Sequence, residues 1–190
     1  MNVYFLLDRS GSMSSLWSEA IGSINAYVNK LESDTKVVLA AFDNQSYDIL
    51  RDSKVKDWNI VEQTELAPRG MTPLYDSCGK LMSRALEDNA EKTVLVVMTD
   101  GYENCSKEYS DRAIKAKIKT FEEKGWEVIF LGANFDVRKQ ASDLNVASWK
   151  TAEFKPGNFV ASMDTLATST RAYASGIAMN LTKDQPKGTH

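Results

Sequence analysis

The sequence predicts an α/β fold in which helices cover both faces of a doubly wound, mostly parallel β-sheet. Four short runs carry this prediction, at residues 3–7, 37–42, 94–98 and 128–132. They are continuously apolar and rich in β-branched and large apolar side chains, as is typical of strands that are buried on both faces. Helical periodicity fills the segments between them, and such strand–helix alternation indicates parallel strands joined by right-handed crossovers.

Three amphipathic stretches separate the predicted strands. Apolar residues recur at helical spacing in each of them, which predicts helices with one buried face. The third stretch runs into Lys124-Gly125, a sequence typical of a helix end before the next strand. The positions predicted to face the core are Trp17, Ala20, Ile21, Ile24, Tyr27, Val28 and Leu31, then Leu74, Cys78, Leu81, Met82 and Ala85, then Ile114, Ile118 and Phe121.

One further strand is predicted at the edge of the sheet. Residues 46–51 are more polar than the other predicted strands and follow the turn-like Asp43-Asn44-Gln45. This pattern favours an antiparallel edge strand on a hairpin. The irregular residues 52–70 then lead to the start of the second helix.

The C-terminal part carries weaker patterns. They predict a short helix over 136–144, a brief strand over 147–150 and a last helix over about 159–181. The polar residues 183–190 are predicted to be a disordered tail, and a single domain over residues 1–182 accounts for the rest. The predicted apolar face of the last helix contains Phe159, Met163, Leu166, Thr170, Tyr173, Ile177 and Leu181.

The composition excludes several partner classes. Hydrophobic residues make up 43% of the chain and charged residues 26%, as in ordinary globular domains. The net charge is −3, from 23 basic and 26 acidic residues. Since this balance offers no basic surface for phosphates, we expect neither a nucleic-acid nor a membrane partner. The sequence is silent on oligomeric state.

The N-terminus and the cysteines point to a cytoplasmic location. Residues 2–8 lack a basic start and hold only a five-residue apolar run, so no signal peptide is predicted. No apolar stretch approaches the roughly 20 residues needed to span a bilayer. Two cysteines, Cys78 and Cys105, are too few for a disulfide framework or a thiolate metal site.

Two of the buried strands end in an aspartate. Asp8 follows the run 3–7, and Asp100 comes directly after Thr99 at the end of the run 94–98. Because the carboxyl ends of parallel strands open on one edge of a sheet, we expect these carboxylates to converge there. Two converging carboxylates repel each other, and a cation or protons must offset that repulsion.

Hydroxyl groups near these aspartates indicate which cation. Ser10 and Ser12 alternate after Asp8 in a turn that contains Gly11, and Thr72 stands before Pro73 at a helix entry. Carboxylate and hydroxyl oxygens suit a hard cation such as Mg²⁺, with Mn²⁺ or Ca²⁺ as alternatives. The absence of neighbouring His or Cys from the motifs argues against zinc.

Three motifs together resemble those of a known family. The run Asp8-Arg9-Ser10-Gly11-Ser12-Met13, then Gly70-Met71-Thr72-Pro73-Leu74, then Thr99-Asp100-Gly101 is similar to the metal-ion-dependent adhesion site of von Willebrand factor type A domains. The strand–helix alternation extends this resemblance over nearly the whole chain. The form of the first motif resembles bacterial or bacteriophage members of the family.

The resemblance implies both a fold and a function. It implies a Rossmann-like doubly wound sheet and a metal site formed by Asp8, Ser10, Ser12, Thr72 and Asp100. It further implies that the metal keeps one coordination position open for an Asp or Glu carboxylate of a protein partner, and that the aspartates act partly through water. Met71 stands where many members have glycine, and Arg9 occupies a variable position; neither change removes a ligand.

Simpler roles exist for the same residues. Asp8 and Asp100 could cap the helices that follow them, and Thr72 before Pro73 reads well as a helix N-cap. Capping does not require three motifs to meet at one edge, so the metal site is the preferred interpretation.

Other residues near this edge are given structural roles. Asp43, Asp76 and Glu103 could support the metal site from outside the ligand set, but solvated surface charges are the preferred interpretation. Cys78 is predicted to be a core residue. Cys105 could be a reactive thiol, but an ordinary loop cysteine is the preferred interpretation. Trp58 is either a loop anchor or an exposed contact.

An enzyme is the competing class of function. Phosphatases that use an aspartate nucleophile carry a second acid two residues later, where this chain has Ser10, and no phosphate-binding glycine loop occurs. A Ser-His-Asp triad would need His190, the only histidine. We therefore predict no catalytic residues and a binding module, with a metal-dependent hydrolase or a structural subunit with a purely stabilising metal as alternatives.

Overall fold

The computed structural model describes residues 1–133 and 136–181. They form a six-stranded sheet in which all neighbouring strands pair in parallel, except for an antiparallel pair at one edge. The strands are β1 (Asn2–Asp8), β2 (Lys36–Phe42), β3 (Tyr47–Lys54), β4 (Thr93–Thr99), β5 (Glu127–Ala133) and β6 (Thr151–Phe154). Their order in the sheet is β3-β2-β1-β4-β5-β6, with β3 as the antiparallel strand.

Helices cover both faces of this sheet. One face packs against α1 (Trp17–Val28) and α5 (Phe159–Ala174). The other face packs against α2 (Leu74–Asp88), α3 (Asp111–Glu123) and α4 (Val137–Asp143). Three short 3-10 helices, Gly11–Ser15, Val55–Asp57 and Ser148–Lys150, lie in the connections. The predicted doubly wound fold with one antiparallel edge strand is confirmed.

The continuous apolar runs arise because the sheet has two buried faces. Along β1, Val3, Phe5 and Leu7 join the core under α1 and α5, whereas Tyr4 and Leu6 join the core under α2, α3 and α4. Since side chains alternate between the faces of a strand, both sets must be apolar. All five side chains are fully buried.

The predicted helices also bury the expected faces. The apolar positions predicted for the first three helical stretches are all buried. After α3 the chain passes through Lys124 to Gly125, which has a φ of +71°, a backbone conformation that glycine adopts readily. At α4 the Asp136 carboxylate accepts a hydrogen bond from the Lys139 N–H at 3.0 Å, so the short helix is confirmed.

Two predictions for the C-terminal part are wrong. The strand expected over 147–150 is replaced by a 3-10 helix, Ser148–Lys150. The strand follows it as β6, where pairing with the end of β5 sets the position. Local apolar content alone contained no information on that register.

The last helix ends at Ala174, seven residues before the predicted end at Leu181. Gly176 has a φ of +95°, and the Ile177 N–H returns to the Ala172 carbonyl at 3.0 Å, the bond of a Schellman helix end. Ile177 is consequently 63% exposed instead of facing the core.

Two further predictions bear on the limits of the chain. The predicted tail at 183–190, with His190, lies outside the described residues. Within the described ranges, no helix is both long enough and apolar enough to cross a membrane.

A close contact between α2 and the loop before α3 gives a test of the packing. A Cβ atom added to Gly79 would lie 2.6 Å from atoms of the Tyr109 ring. Gly79→Ala is therefore expected to lower the free energy of unfolding by about 1–3 kcal/mol through overpacking. Gly22→Ala in α1 is the control, since a Cβ there meets nothing within 4 Å and gains up to about 1 kcal/mol of helix propensity. Urea unfolding measures both; equal effects would contradict the described contact.

Candidate metal site

The carboxyl ends of β1 and β4 bring the two predicted aspartates together. Asp8 is the last residue of β1, and Asp100 directly follows β4, its neighbour in the sheet. Asp8 Oδ2 accepts a hydrogen bond of 2.6 Å from the hydroxyl of Thr99, the last residue of β4. Parallel pairing of the central strands therefore creates the convergence that the sequence predicted.

The two serines connect the aspartates. The Ser10 N–H donates to Asp8 Oδ1 at 2.7 Å, and the Ser10 and Ser12 hydroxyls lie 3.1 Å apart. The Ser12 hydroxyl donates to Asp100 Oδ1 at 2.6 Å. Four of the five predicted ligands are thus connected by hydrogen bonds.

Thr72 reaches the same edge from the loop before α2. Its N–H donates to Asn104 Oδ1 at 3.0 Å, and its carbonyl accepts from the Asn104 N–H at 3.2 Å. A Cβ placed on Gly101 would lie 3.9 Å from the Thr72 hydroxyl oxygen, so this hydroxyl is close to the Asp100-Gly101 turn. The structure brings all five predicted residues to one edge, which we call the rim: Asp8, Ser10, Ser12, Thr72 and Asp100.

Burial makes negative charge costly at the rim. Asp8 is fully buried, and this burial raises the pKa of its carboxyl to about 6, although hydrogen bonds from Thr99 and Ser10 oppose the shift and the Asp100 charge adds to it. Burial also raises the pKa of Asp100. In the described part of the chain neither carboxylate makes an ion pair. A bound cation would offset this unbalanced charge.

The donor set fits a hard cation. Its atoms are two carboxylates and three hydroxyls, the oxygen ligands that Mg²⁺, Mn²⁺ and Ca²⁺ accept. Within residues 1–133 and 136–181, no group of three or more His, Cys, Asp or Glu side chains is placed to hold a metal. An ion at the rim would therefore need the hydroxyls as well as the two carboxylates as ligands.

Thr72 is not a helix cap. α2 begins at Leu74, and its N-cap position makes no side-chain hydrogen bond. Glu103 and Ser106 cap this helix instead, because the Tyr75 N–H donates to Glu103 Oε2 at 2.9 Å and the Asp76 N–H donates to the Ser106 hydroxyl at 3.1 Å. The Thr72 hydroxyl therefore stays available at the rim.

The prediction that Asp76 is a solvated charge is wrong. Its side chain is buried and accepts hydrogen bonds of 2.8 Å from the backbone N–H groups of Lys107, Glu108 and Tyr109. Burial would raise the pKa of Asp76, but these hydrogen bonds outweigh it and hold the pKa below its ordinary value. The contacts come from a loop about 30 residues away, so the spacing in the sequence gave no sign of them.

Asp43 and Glu103 also have structural partners. Asp43 is buried and pairs with arginine side chains, so it too was wrongly predicted to be a solvated charge. Glu103 is half-buried, and its carboxylate accepts from the Cys105 and Ser106 N–H groups at 2.8 and 2.6 Å besides capping α2. These acids hold the loops that carry the predicted ligands.

The remaining candidates have ordinary roles. Cys78 is buried in the core, as predicted, and Cys105 is a half-buried free thiol. Trp58 is half-buried against the α1 side of the core, and its indole N–H donates to Asn25 Oδ1 at 3.1 Å. It is therefore a loop anchor.

The surface around the rim combines apolar and charged groups. Met71, next to Thr72, is 46% exposed, and Tyr102, two residues after Asp100, is 45% exposed. A groove of about 770 Å³ begins at Met71 and Pro73 and extends to Lys80 and Lys107. Exposed large apolar side chains beside a concave surface are common where proteins bind other proteins.

Comparison with known sequences identifies one family. The chain matches the family model of the von Willebrand factor type A domain over residues 2–170. No match was found among curated proteins.

Solved structures show the same fold at low identity. A von Willebrand factor type A protein from Catenulispora acidiphila has a TM-score of 0.65 at 14% identity, covering 89% of this chain and 42% of its own. The conserved hypothetical protein BatB from Bacteroides thetaiotaomicron has 0.61 at 15%, covering 93% and 100%. The manganese-loaded TRAP protein of Plasmodium vivax has 0.60 at 16%, covering 85% and 70%. This chain thus spans less than half of the first of these structures, and the likenesses concern the fold.

Proposed function

The chain belongs to the von Willebrand factor type A domain family, a family of protein-interaction and adhesion modules. We propose that it captures a protein partner through a divalent metal ion bound at the rim. The observation that carries the proposal is the convergence on one edge of the sheet of three hydroxyls and two buried carboxylates that make no ion pair with the described residues. Mg²⁺ is the proposed ion, with Mn²⁺ or Ca²⁺ as alternatives.

The rim residues have distinct roles in this proposal. Asp8, Ser10, Ser12, Thr72 and Asp100 would hold the ion, which supplies an electrophilic position for an Asp or Glu carboxylate of the partner. Thr99 orients the Asp8 carboxylate through its hydroxyl, and Asn104 holds Thr72 in place. Outside the rim, the exposed Met71 and Tyr102 side chains offer apolar contact area to the same partner.

Two observations support this assignment. The structural neighbour from Plasmodium vivax is described as manganese-loaded, so this fold holds a divalent metal in at least one protein. The net charge of −3 gives no electrostatic source for binding nucleic acid or anionic lipid, which favours a protein partner. A cytoplasmic location and a bacterial or bacteriophage origin stay predictions from the sequence.

Retention on immobilised protein tests the proposal. Partner proteins from a lysate of the native host should be retained with Mg²⁺, released by chelator and absent with Asp8→Ala or Asp100→Ala, because each variant removes a carboxylate from the rim. Asp34→Ala is the matched control. Asp34 is an exposed aspartate next to the start of β2, so it lies at the end of the strands opposite the rim. An unchanged set of partners after chelation would refute the proposal.

Two further measurements separate this proposal from the other function classes. Titration calorimetry of the protein freed of metal by a chelator should show Mg²⁺ or Mn²⁺ binding that Asp100→Ala weakens by about a hundredfold or more. Metal-dependent turnover in a phosphatase screen would assign the rim to a hydrolase instead. Metal-dependent thermal stabilisation with no metal-dependent partner would leave a purely structural metal.

A further inference from the structure

A buried arginine lies between two of the proposed ligands. Arg9 follows Asp8 and precedes Ser10 in the chain, and its side chain is only 3% exposed. A buried positive charge beside a cation site opposes ion binding unless a nearby negative charge neutralises it. The structure provides that charge on the β2–β3 hairpin.

Two aspartates of the hairpin face the Arg9 guanidinium. Arg9 Nε lies 2.8 Å from Asp43 Oδ2, and Arg9 Nη2 lies 3.0 Å from Asp48 Oδ2. The Asp43 side chain is fully buried, whereas Asp48 is 43% exposed. Arg9 Nε makes no hydrogen bond to the described residues, so its contact with Asp43 is an attraction between charges. Asp43 is the main counter-ion because it is the one shielded from water.

Asp43 is fixed by groups other than Arg9. Its Oδ1 accepts from the Gln45 and Ser46 N–H groups at 2.6 and 2.9 Å, and its Oδ2 accepts from Arg69 Nε at 2.8 Å. The carboxylate therefore stays in place when Arg9 is changed, and it can hold Arg9 as a fixed partner.

The backbone directs Arg9 toward the hairpin. The Arg9 N–H donates to the Phe42 carbonyl at 2.9 Å, and its carbonyl accepts from the Arg69 N–H at 2.8 Å. Asp8 meanwhile bonds to Thr99 and to the Ser10 N–H. The positive side chain and the negative rim thus have separate sets of partners although the residues are adjacent in the chain.

We propose that Asp43 is a positioning residue for ion binding: by pairing with Arg9 it holds the guanidinium on the hairpin side and neutralises its charge, so that a divalent cation can bind at the rim. This inference rests on the proposed metal site. It assigns the control of ion affinity to the Arg9–Asp43 pair, which lies outside the ligand set. The proposal predicts that removing the charge of Asp43 weakens ion binding, whereas removing the charge of Arg9 does not.

The expected direction of each change in Mn²⁺ affinity follows from the charge that is removed. Asp43→Asn removes the buried negative charge while the amide keeps an acceptor for the backbone. Arg9 then keeps only the half-exposed Asp48 as a counter-ion, so Mn²⁺ affinity should fall on the order of tenfold. Arg9→Gln removes the positive charge and should leave Mn²⁺ binding as tight as in the wild type or a few-fold tighter. The double variant restores the charge balance and should bind close to the wild-type affinity.

A mere clamp between loops predicts another result. If the pair only tied the hairpin to the turn after β1, both single substitutions would loosen the rim and weaken Mn²⁺ binding, and the double variant would bind no better than either. The exposed pair Lys30–Asp164, which joins the end of α1 to α5, provides matched control variants, Lys30→Gln and Asp164→Asn. Neither should change Mn²⁺ affinity.

The experiment titrates Mn²⁺ into the chelator-treated full chain and follows free Mn²⁺ by electron paramagnetic resonance. Urea unfolding without metal is measured alongside, to separate a change in affinity from a change in stability. Weaker Mn²⁺ binding by Arg9→Gln overturns the inference, and this holds even if Asp43→Asn does not fold. Wild-type affinity in a folded Asp43→Asn overturns it as well, but leaves the proposed function standing. Absence of Mn²⁺ and Mg²⁺ binding in the wild type overturns both.

Discussion

Replacing Asp76 with alanine is expected to lower the free energy of unfolding by about 3 kcal/mol. The carboxylate is buried at the start of α2 and accepts hydrogen bonds from three backbone N–H groups, those of Lys107, Glu108 and Tyr109. Each lost hydrogen bond to a charged group costs about 1 kcal/mol or more. The loop they belong to lies between the Asp100 turn and α3, so the substitution should also loosen this side of the rim.

Urea unfolding of Asp76→Ala and Glu108→Ala measures this effect. Glu108 is a neighbouring exposed acid that pairs with Lys80 at the surface, and its removal should change stability by no more than about 0.5 kcal/mol. The Asp76 contribution should be lost at acidic pH, because its pKa is held below the ordinary value and protonation in the folded state removes an acceptor. A loss of less than 1 kcal/mol for Asp76→Ala at neutral pH would show that the three N–H groups do not depend on this carboxylate.

The metal-free protein is expected to lose about 2 kcal/mol of stability through Asp8 as the pH rises from 4 to 7. Burial raises the pKa of this carboxyl from its ordinary 3.8 to about 6, and one pKa unit corresponds to about 1.4 kcal/mol. Between these two values the folded protein keeps a proton that the unfolded chain has released. The stabilising effect of that proton is therefore complete below the unfolded pKa and disappears as the pH passes the folded one.

Comparison with Asp8→Asn isolates this effect from other carboxyls. Asp43, Asp76 and Asp88 have pKa values below the ordinary one, so they contribute in the opposite direction at lower pH. The difference in unfolding free energy, variant minus wild type, should rise by about 2 kcal/mol between pH 4 and pH 7 in chelator. Mg²⁺ at pH 7 should remove most of the difference by stabilising the wild type alone. A difference that does not change with pH would mean that burial does not raise the pKa of Asp8.

The architecture and the convergence of Asp8 and Asp100 were predictable because they follow from short-range patterns, whereas Thr72, on the loop before α2, was assigned to the site by the family resemblance. Continuous apolar runs such as 94–98 require burial on both faces of a strand. Once the strands are parallel, their carboxyl ends share an edge. Asp8 and Asp100 converge for that reason alone, without any knowledge of the loops between them.

What could not be predicted depends on contacts between distant loops. Asp43 and Asp76 look like solvated charges in the sequence because their partners, Arg9 and the backbone of 107–109, lie about 30 residues away. The end of α5 at Ala174 was missed for a different reason. Apolar periodicity continues through Ile177, and only the positive φ of Gly176 stops the helix.

The rim forms during folding only when strands that are distant in the sequence have paired. The hydrogen bond between Asp8 and Thr99 joins residues 91 positions apart, and it requires β1 and β4 to be paired in register. Such distant pairing closes a long loop and is slow relative to helix formation. The unfolded chain therefore holds no assembled set of ligands, and a metal ion cannot guide the early steps of folding. Under the proposed function, ion binding would instead add its free energy to the finished fold, so metal should slow the unfolding of this protein and leave its rate of folding nearly unchanged.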